Sequence, residues 1–268
     1  MAKKSKRPLK FAVAVDCEGV ACVVGAQGMG LGDTDNWEMA RRQATREADA
    51  AAKGLFDAGA SEVIVWDNHS RGLNLHYDDL DQRCQIALGA GGEGRWPGVD
   101  STFAGVLLIG YHAMDTTVDA ILAHTFSSRE YQWIKVGGRE VGEMAIDASL
   151  AGERKVPVIF VASDDKGVAE AKKFMPWVQT VATKRGLARN QAISKHPLQA
   201  AAEIRQGAAA AVARLDEMKT FHFPSPTTLE YRFKILDGAQ AQARKHAGWT
   251  RTDPYTCQKK INKLSDEF

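Results

Sequence analysis

The chain has 268 residues, 44% hydrophobic and 25% charged, with a net charge of +2. This is the balance of one large globular domain with a sizeable core, or of one domain plus an appendage. A charge this small gives no general attraction to nucleic acid, and no apolar run is long enough to cross a bilayer.

Residues 1–10 carry Lys3, Lys4, Lys6, Arg7 and Lys10. They lack the apolar core and cleavage site of a signal peptide, so a disordered solubilising tail and a cytoplasmic location are expected. Phe11–Val15 is a continuous apolar run and reads as a strand buried on both faces, as in a parallel sheet. It runs straight into Asp16-Cys17-Glu18-Gly19. Side chains two apart on a strand point the same way, so Asp16 and Glu18 are expected to project together beyond its carboxyl end, where α/β sheets place their sites. Two adjacent carboxylates stay ionised at low cost only around a cation. Cys17 faces the other way. None of Cys17, Cys22, Cys84 and Cys257 forms a C-x-x-C pair, which leaves free thiols.

The glycine-rich stretch 25–32 lacks both the dinucleotide fingerprint and the Gly-Lys-Ser/Thr of a phosphate loop, so it reads as a mobile loop over the strand end. Asp35 or Asn36 is placed to cap a helix from Trp37 to Asp57 that Gly59 closes. Further strands are expected at 62–67, near 85–88, at 104–112 and at 156–162, with a hairpin turning at Gly137-Gly138. Helices are expected at 141–151, 168–174 and 198–218. The alternating stretch 228–236 reads as a strand open on one face, available to a neighbour's sheet edge or core, and the sequence beyond 239 is not legible. The expected fold class is α/β: a mostly parallel central sheet flanked by helices in a metal-binding domain over 11–220. A smaller α+β extension over 221–268 would serve oligomerisation or cover the substrate site.

His69, His112 and His124 each stand where an apolar strand is expected to stop, the last after the shorter run 120–124. With Asp16 and Glu18 they put five metal-binding or acid–base side chains at one rim of the sheet. A lone histidine is more often structural; convergence by topology is the stronger signal. His76, His196, His222 and His246 lie in polar or loop contexts and carry no assignment.

The blocks Val15–Gly19, Asp67–Ser70, Gly110–Ala113, His124 and Val141–Glu143, in this order and spacing, resemble the zinc-dependent D-aminopeptidase family. Residues 182–189 resemble it more loosely. The resemblance implies two zinc ions per subunit, held by Asp16, Glu18, His69, His112 and Glu143, with His124 as the catalytic histidine. It also implies a ring-like homodecamer that cleaves the N-terminal residue from short peptides or aminoacyl amides. Ala14 departs from the serine usual two residues before the first aspartate. Manganese or cobalt would suit the same ligands. Asp115 is a further loop carboxylate near the site. The competing readings are another metal-dependent amidase or phosphoester hydrolase, and a non-enzymatic module binding a phosphorylated ligand through the 25–32 loop.

Overall fold

Strands β1 (Lys10–Val15), β2 (Glu62–Asp67), β3 (Gln85–Ala87) and β4 (Gly105–Tyr111) form early in the chain, with helix α1 (Trp37–Asp57) between the first two. The computed structural model describes residues 8–90 and 94–268. After β4 come the hairpin β5 (Tyr131–Val136) and β6 (Arg139–Val141), helix α2 (Glu143–Glu153), β7 (Val158–Ser163), α3 (Asp165–Phe174) and β8 (Gln179–Ala182). A second hairpin, β9 (Lys184–Ala188) and β10 (Gln191–Ser194), precedes α4 (Pro197–Ala213). The chain ends with β11 (Thr227–Phe233), α5 (Leu236–Lys245), β12 (Thr250–Asp253) and β13 (Thr256–Ile261).

The central sheet has the order β3-β2-β1-β4-β7-β8 and is parallel at every pairing. Its middle strands are apolar throughout because both faces are covered. Alternation divides them between two cores. Phe11, Val13, Val15, Val63, Val65, Leu107 and Ile109 belong to one, with alanines of α1 and α4. Ala12, Ala14, Ile64, Trp66, Val106 and Leu108 belong to the other, with α2 and the second sheet. Each fully buried Leu or Ile contributes roughly 1.5–3 kcal/mol, so this double coverage anchors the strands whose ends carry the site.

The second sheet is antiparallel, in the order β12-β13-β11-β5-β6. It joins the 131–141 hairpin to strands beyond residue 220. This corrects the expectation for residues 228–236. β11 is a central strand, paired with β13 on one side and β5 on the other, and is not available to a neighbour's edge. Its alternating Leu229, Tyr231 and Phe233 face this chain's own core. Asn36 stands at the N-cap of α1 but makes no capping bond; its Oδ1 accepts from Val24 N instead, at 2.8 Å. The apolar run 120–124 is a buried loop, not a strand. Its backbone amides go to the Asp164 carboxylate (Ile121), the Arg189 carbonyl (Leu122) and the Ala113 carbonyl (His124), so it joins no ladder. Finally, Lys10, read as part of the tail, opens β1 and pairs with Glu62 at 3.2 Å; Lys3, Lys4, Lys6 and Arg7 lie outside the described residues.

Candidate metal centre

Three strand ends, one helix start and one loop supply the site. Asp16 is the first residue past β1, and its amide still donates to Ile109 O at 2.8 Å, which keeps β1 registered on β4. Glu18 follows two residues later. His69 lies just past β2 and His112 just past β4. Glu143 is the first residue of α2, where the helix dipole favours a carboxylate. His124 comes from the buried 120–124 loop.

These six side chains meet. His69 Nε2 is 3.1 Å from Glu18 Oε1. His112 Nε2 is 3.5 Å from Asp16 Oδ2 and 3.3 Å from Glu143 Oε1. His124 Nε2 is 3.9 Å from the same Glu143 oxygen, and its ring stacks on His112 with centroids 3.9 Å apart. Single donor atoms from Asp16, Glu18 and His112 all lie within 4.8 Å of one another, and so do those of His112, His124 and Glu143. His112 therefore belongs to both groups.

The residues fit a cation. Nδ1 of His112 donates to Ala113 O (3.1 Å) and Nδ1 of His124 donates to Leu122 O (2.8 Å). Backbone bonds of this kind fix the tautomer and turn the Nε2 lone pair toward the ligand. Both Nε2 atoms thus point at carboxylates, which repels unless a proton or a metal lies between. Glu18 Oε2, His69 Nδ1 and His112 Nε2 are buried and have no hydrogen-bond partner, a costly arrangement that a bound ion relieves. In the absence of an ion, protons take that role. Burial alone would lower His69, but the Glu18 carboxylate outweighs it and lifts the ring to about 10. Burial would raise Glu143, but His112 holds it down to about 2. Asp16 is pushed well up, first by burial and then by the Glu18 charge. His124 is pushed down by burial and by the neighbouring His112.

The cluster lies in a cavity of about 730 Å³. One wall is the Met29–Asp33 segment of the glycine-rich stretch, another the 126–129 loop, and Trp37 packs on His69 with ring centroids 5.3 Å apart. Phe126 N donates to Glu143 Oε1 at 2.7 Å. Asp115 stays out of the cluster: its carboxylate pairs with Lys234 at 2.5 Å.

A family model described as D-aminopeptidase matches residues 9–268. The chain belongs to the D-aminopeptidase family. A curated D-aminopeptidase of Bacillus subtilis is 30% identical over 228 residues, which is 84% of this chain and 81% of that protein. A solved structure described as the Zn-dependent D-aminopeptidase DppA from Bacillus subtilis, a self-compartmentalizing protease, superimposes with a TM-score of 0.89 at 27% identity. That match covers 96% of this chain and 93% of the other. The protein is accordingly a peptide hydrolase, and the phosphoester and non-enzymatic readings fall. The glycine-rich stretch is a cavity wall and not a phosphate cradle.

Around this family centre stand residues to which the sequence reading gave no role. Arg95 makes a two-pronged ion pair with buried Asp147 and donates to Asn68 Oδ1 at 2.9 Å. Asn68 Nδ2 donates to Tyr111 Oη, and Tyr111 Oη donates to Asp147 Oδ2. The network fixes Asn68, a cavity-lining residue next to His69. From β9, Lys184 Nζ reaches backbone carbonyls beside Glu18, and just past that strand Arg189 donates to Ala123 O beside His124. The loosely matching block 182–189 was the only signal for these last two. Tyr111 lies inside the matching block Gly110–Ala113 but there stands only beside His112, and Arg95 lies in a stretch without periodicity.

Proposed function

We propose that the chain is a binuclear zinc aminopeptidase that removes the N-terminal residue, of the D series as the family name implies, from short peptides or aminoacyl amides. The observation that carries this is the inward convergence of three carboxylates with imidazoles whose Nδ1 atoms are already bonded to the backbone. Asp16, Glu18, His69, His112 and Glu143 would hold the zinc ions, and manganese or cobalt would suit the same set. When bound, zinc lowers the pKa of water toward neutrality and polarises a carbonyl.

The chain's own groups do the rest. His124 keeps its Nδ1 proton on Leu122 O, so Nε2 is an acceptor facing the cavity. Its lowered pKa leaves it neutral and able to take a proton from the attacking water and pass it to the leaving amine. Asp16, Glu18 and Glu143 set a negative field that suits a substrate's free α-amine. A cytoplasmic, ring-like decamer belongs to the same reading; it rests on the family resemblance and on the neighbour described as self-compartmentalizing.

Two measurements test the proposal. Elemental analysis after zinc reconstitution is expected to give two ions per chain and fewer in Asp16→Ala; a wild-type value near zero sinks the metal reading. A D-alanyl dipeptide amide is expected to be cleaved with its amine free and spared when N-acetylated. Equal cleavage of both would make the enzyme a general amidase.

A further inference from the structure

Lys184 opens β9 with its side chain turned inward, and the residue is only 3% exposed. A buried ammonium normally meets a carboxylate. Among the described residues, Lys184 has none within ion-pair distance. Its Nζ donates instead to three backbone carbonyls, of Glu18 at 2.5 Å, Val20 at 2.7 Å and Val23 at 2.6 Å. An ammonium has three donors and no acceptor, so the group is saturated.

All three carbonyls come from one short loop. Strand β1 ends at Val15, and beyond Gly19, whose amide bonds Gly110 O, the loop has no ladder of its own. Distant side chains hold it. Thr183 Oγ1 donates to Gly19 O at 2.6 Å, Ala21 N donates to Glu47 Oε1 at 2.8 Å, and Cys22 N donates to Ser194 Oγ at 2.7 Å. Glu18 is thus gripped by its backbone at Lys184 while its carboxylate reaches His69.

We propose that Lys184, with Thr183 beside it, is a positioning pair for the metal centre. Together they bind the carbonyls of Glu18, Gly19, Val20 and Val23 and fix the loop that aims Asp16 and Glu18 at His112 and His69. The ammonium plays the part of a bound cation in a carbonyl cage, supplied by the chain itself. The inference rests on the metal reading above, and supporting residues of this kind typically change metal affinity by 10- to 100-fold.

Lys184→Met keeps the length of the side chain and removes its donors. Three readings decide the matter: the zinc Kd by chelator competition, kcat and KM at saturating zinc, and the thermal midpoint of the metal-stripped protein. The expected result is a zinc Kd weakened 10- to 100-fold with KM nearly unchanged. A lower midpoint with wild-type zinc Kd and kcat would mean that Lys184 only stabilises the fold, and would overturn the proposal. If Lys184→Met does not fold, Thr183→Val removes the hydroxyl that binds Gly19 O at 2.6 Å and, at the longer 3.1 Å, Ser163 O of its own sheet. It is expected to weaken zinc about five-fold, the scale of one hydrogen bond, and an unchanged Kd there would overturn the proposal. Wild-type protein that takes up no zinc would instead bring down the metal reading, and this inference with it.

Discussion

His112 and His124 stack on each other and share one glutamate oxygen, yet their protonation is driven in opposite directions. His112 is raised well above its ordinary value: burial alone would lower it, but Glu143 outweighs burial, and His124 is lowered by burial and by His112. This asymmetry suits a ligand beside a proton carrier. His124→Ala is therefore expected to retain its zinc, by elemental analysis, while kcat falls about 100-fold or more; loss of zinc would make His124 a ligand. A second residue-scale expectation concerns Glu47, whose buried carboxyl is raised to about 7 by desolvation, with one oxygen unpartnered. Between about pH 4.5 and 7 the folded state then holds a proton that the unfolded state has lost. Stability from this group is full below 4.5 and falls as pH rises, by up to about 3 kcal/mol. Glu170, also raised to about 7 by burial, acts with the same sign. Glu47→Gln cannot ionise, so denaturant titrations of stripped protein should show the variant gaining on wild type across that window. A constant difference would mean that Glu47 is ionised throughout. The convergence of the six site side chains was legible because most follow an apolar strand or match a family block. Lys184 and Arg95 were not, because their partners lie far away in sequence, more than 160 residues distant for Lys184.

At the scale of elements, the site depends on how closely the ends of β1 and β4 cross. Gly110 adopts φ +74°, and a Cβ there would stand 2.1 Å from Asp16 O and 2.8 Å from Val20 Cγ1. Gly19 is as tight: a Cβ would meet Tyr111 O at 1.8 Å. Neither backbone can withdraw without moving Asp16 or His112. Gly110→Ala is expected to cost on the order of 2–4 kcal/mol through strain and steric conflict, and to weaken zinc binding as well. Calorimetry with chelator competition checks both, and a wild-type midpoint would show that the crossing can relax. The strands that make this crossing could be read from sequence because burial on both faces leaves long apolar runs. The 120–124 run misled for the same reason: it is apolar because it is buried, but it is buried as a loop. β12 is exposed along its whole length and α5 buries only Ala239, so neither carries a pattern that sequence can show.

At the scale of the molecule, the β9–β10 hairpin stands apart from both larger sheets. A lone two-stranded ribbon is marginal in water, yet this one holds Lys184 at its start and leads to Arg189 at its turn, so the centre depends on it. It also carries exposed apolar side chains, Leu187 at 38% and Ile193 at 56%, and Leu198 at the start of α4 is 62% exposed. Gly186 lies against the Asp119 backbone, which brings Val118, 77% exposed, close to the hairpin. Apolar surface gathered on a ribbon that needs support is what a subunit contact would cover. The proposed decamer has a mass of about 292 kDa, ten times the 29.2 kDa chain, and light scattering should read that value for the wild type. Ile193→Asp puts a charge on the hairpin's outer face, where burial against another subunit would strip its water. It is expected to give a smaller mass with zinc per chain retained, because the residue is exposed and does not line the metal cavity. Wild type at 29.2 kDa would reject the assembly. A variant that stays at full mass would keep the assembly and move the contact away from the hairpin.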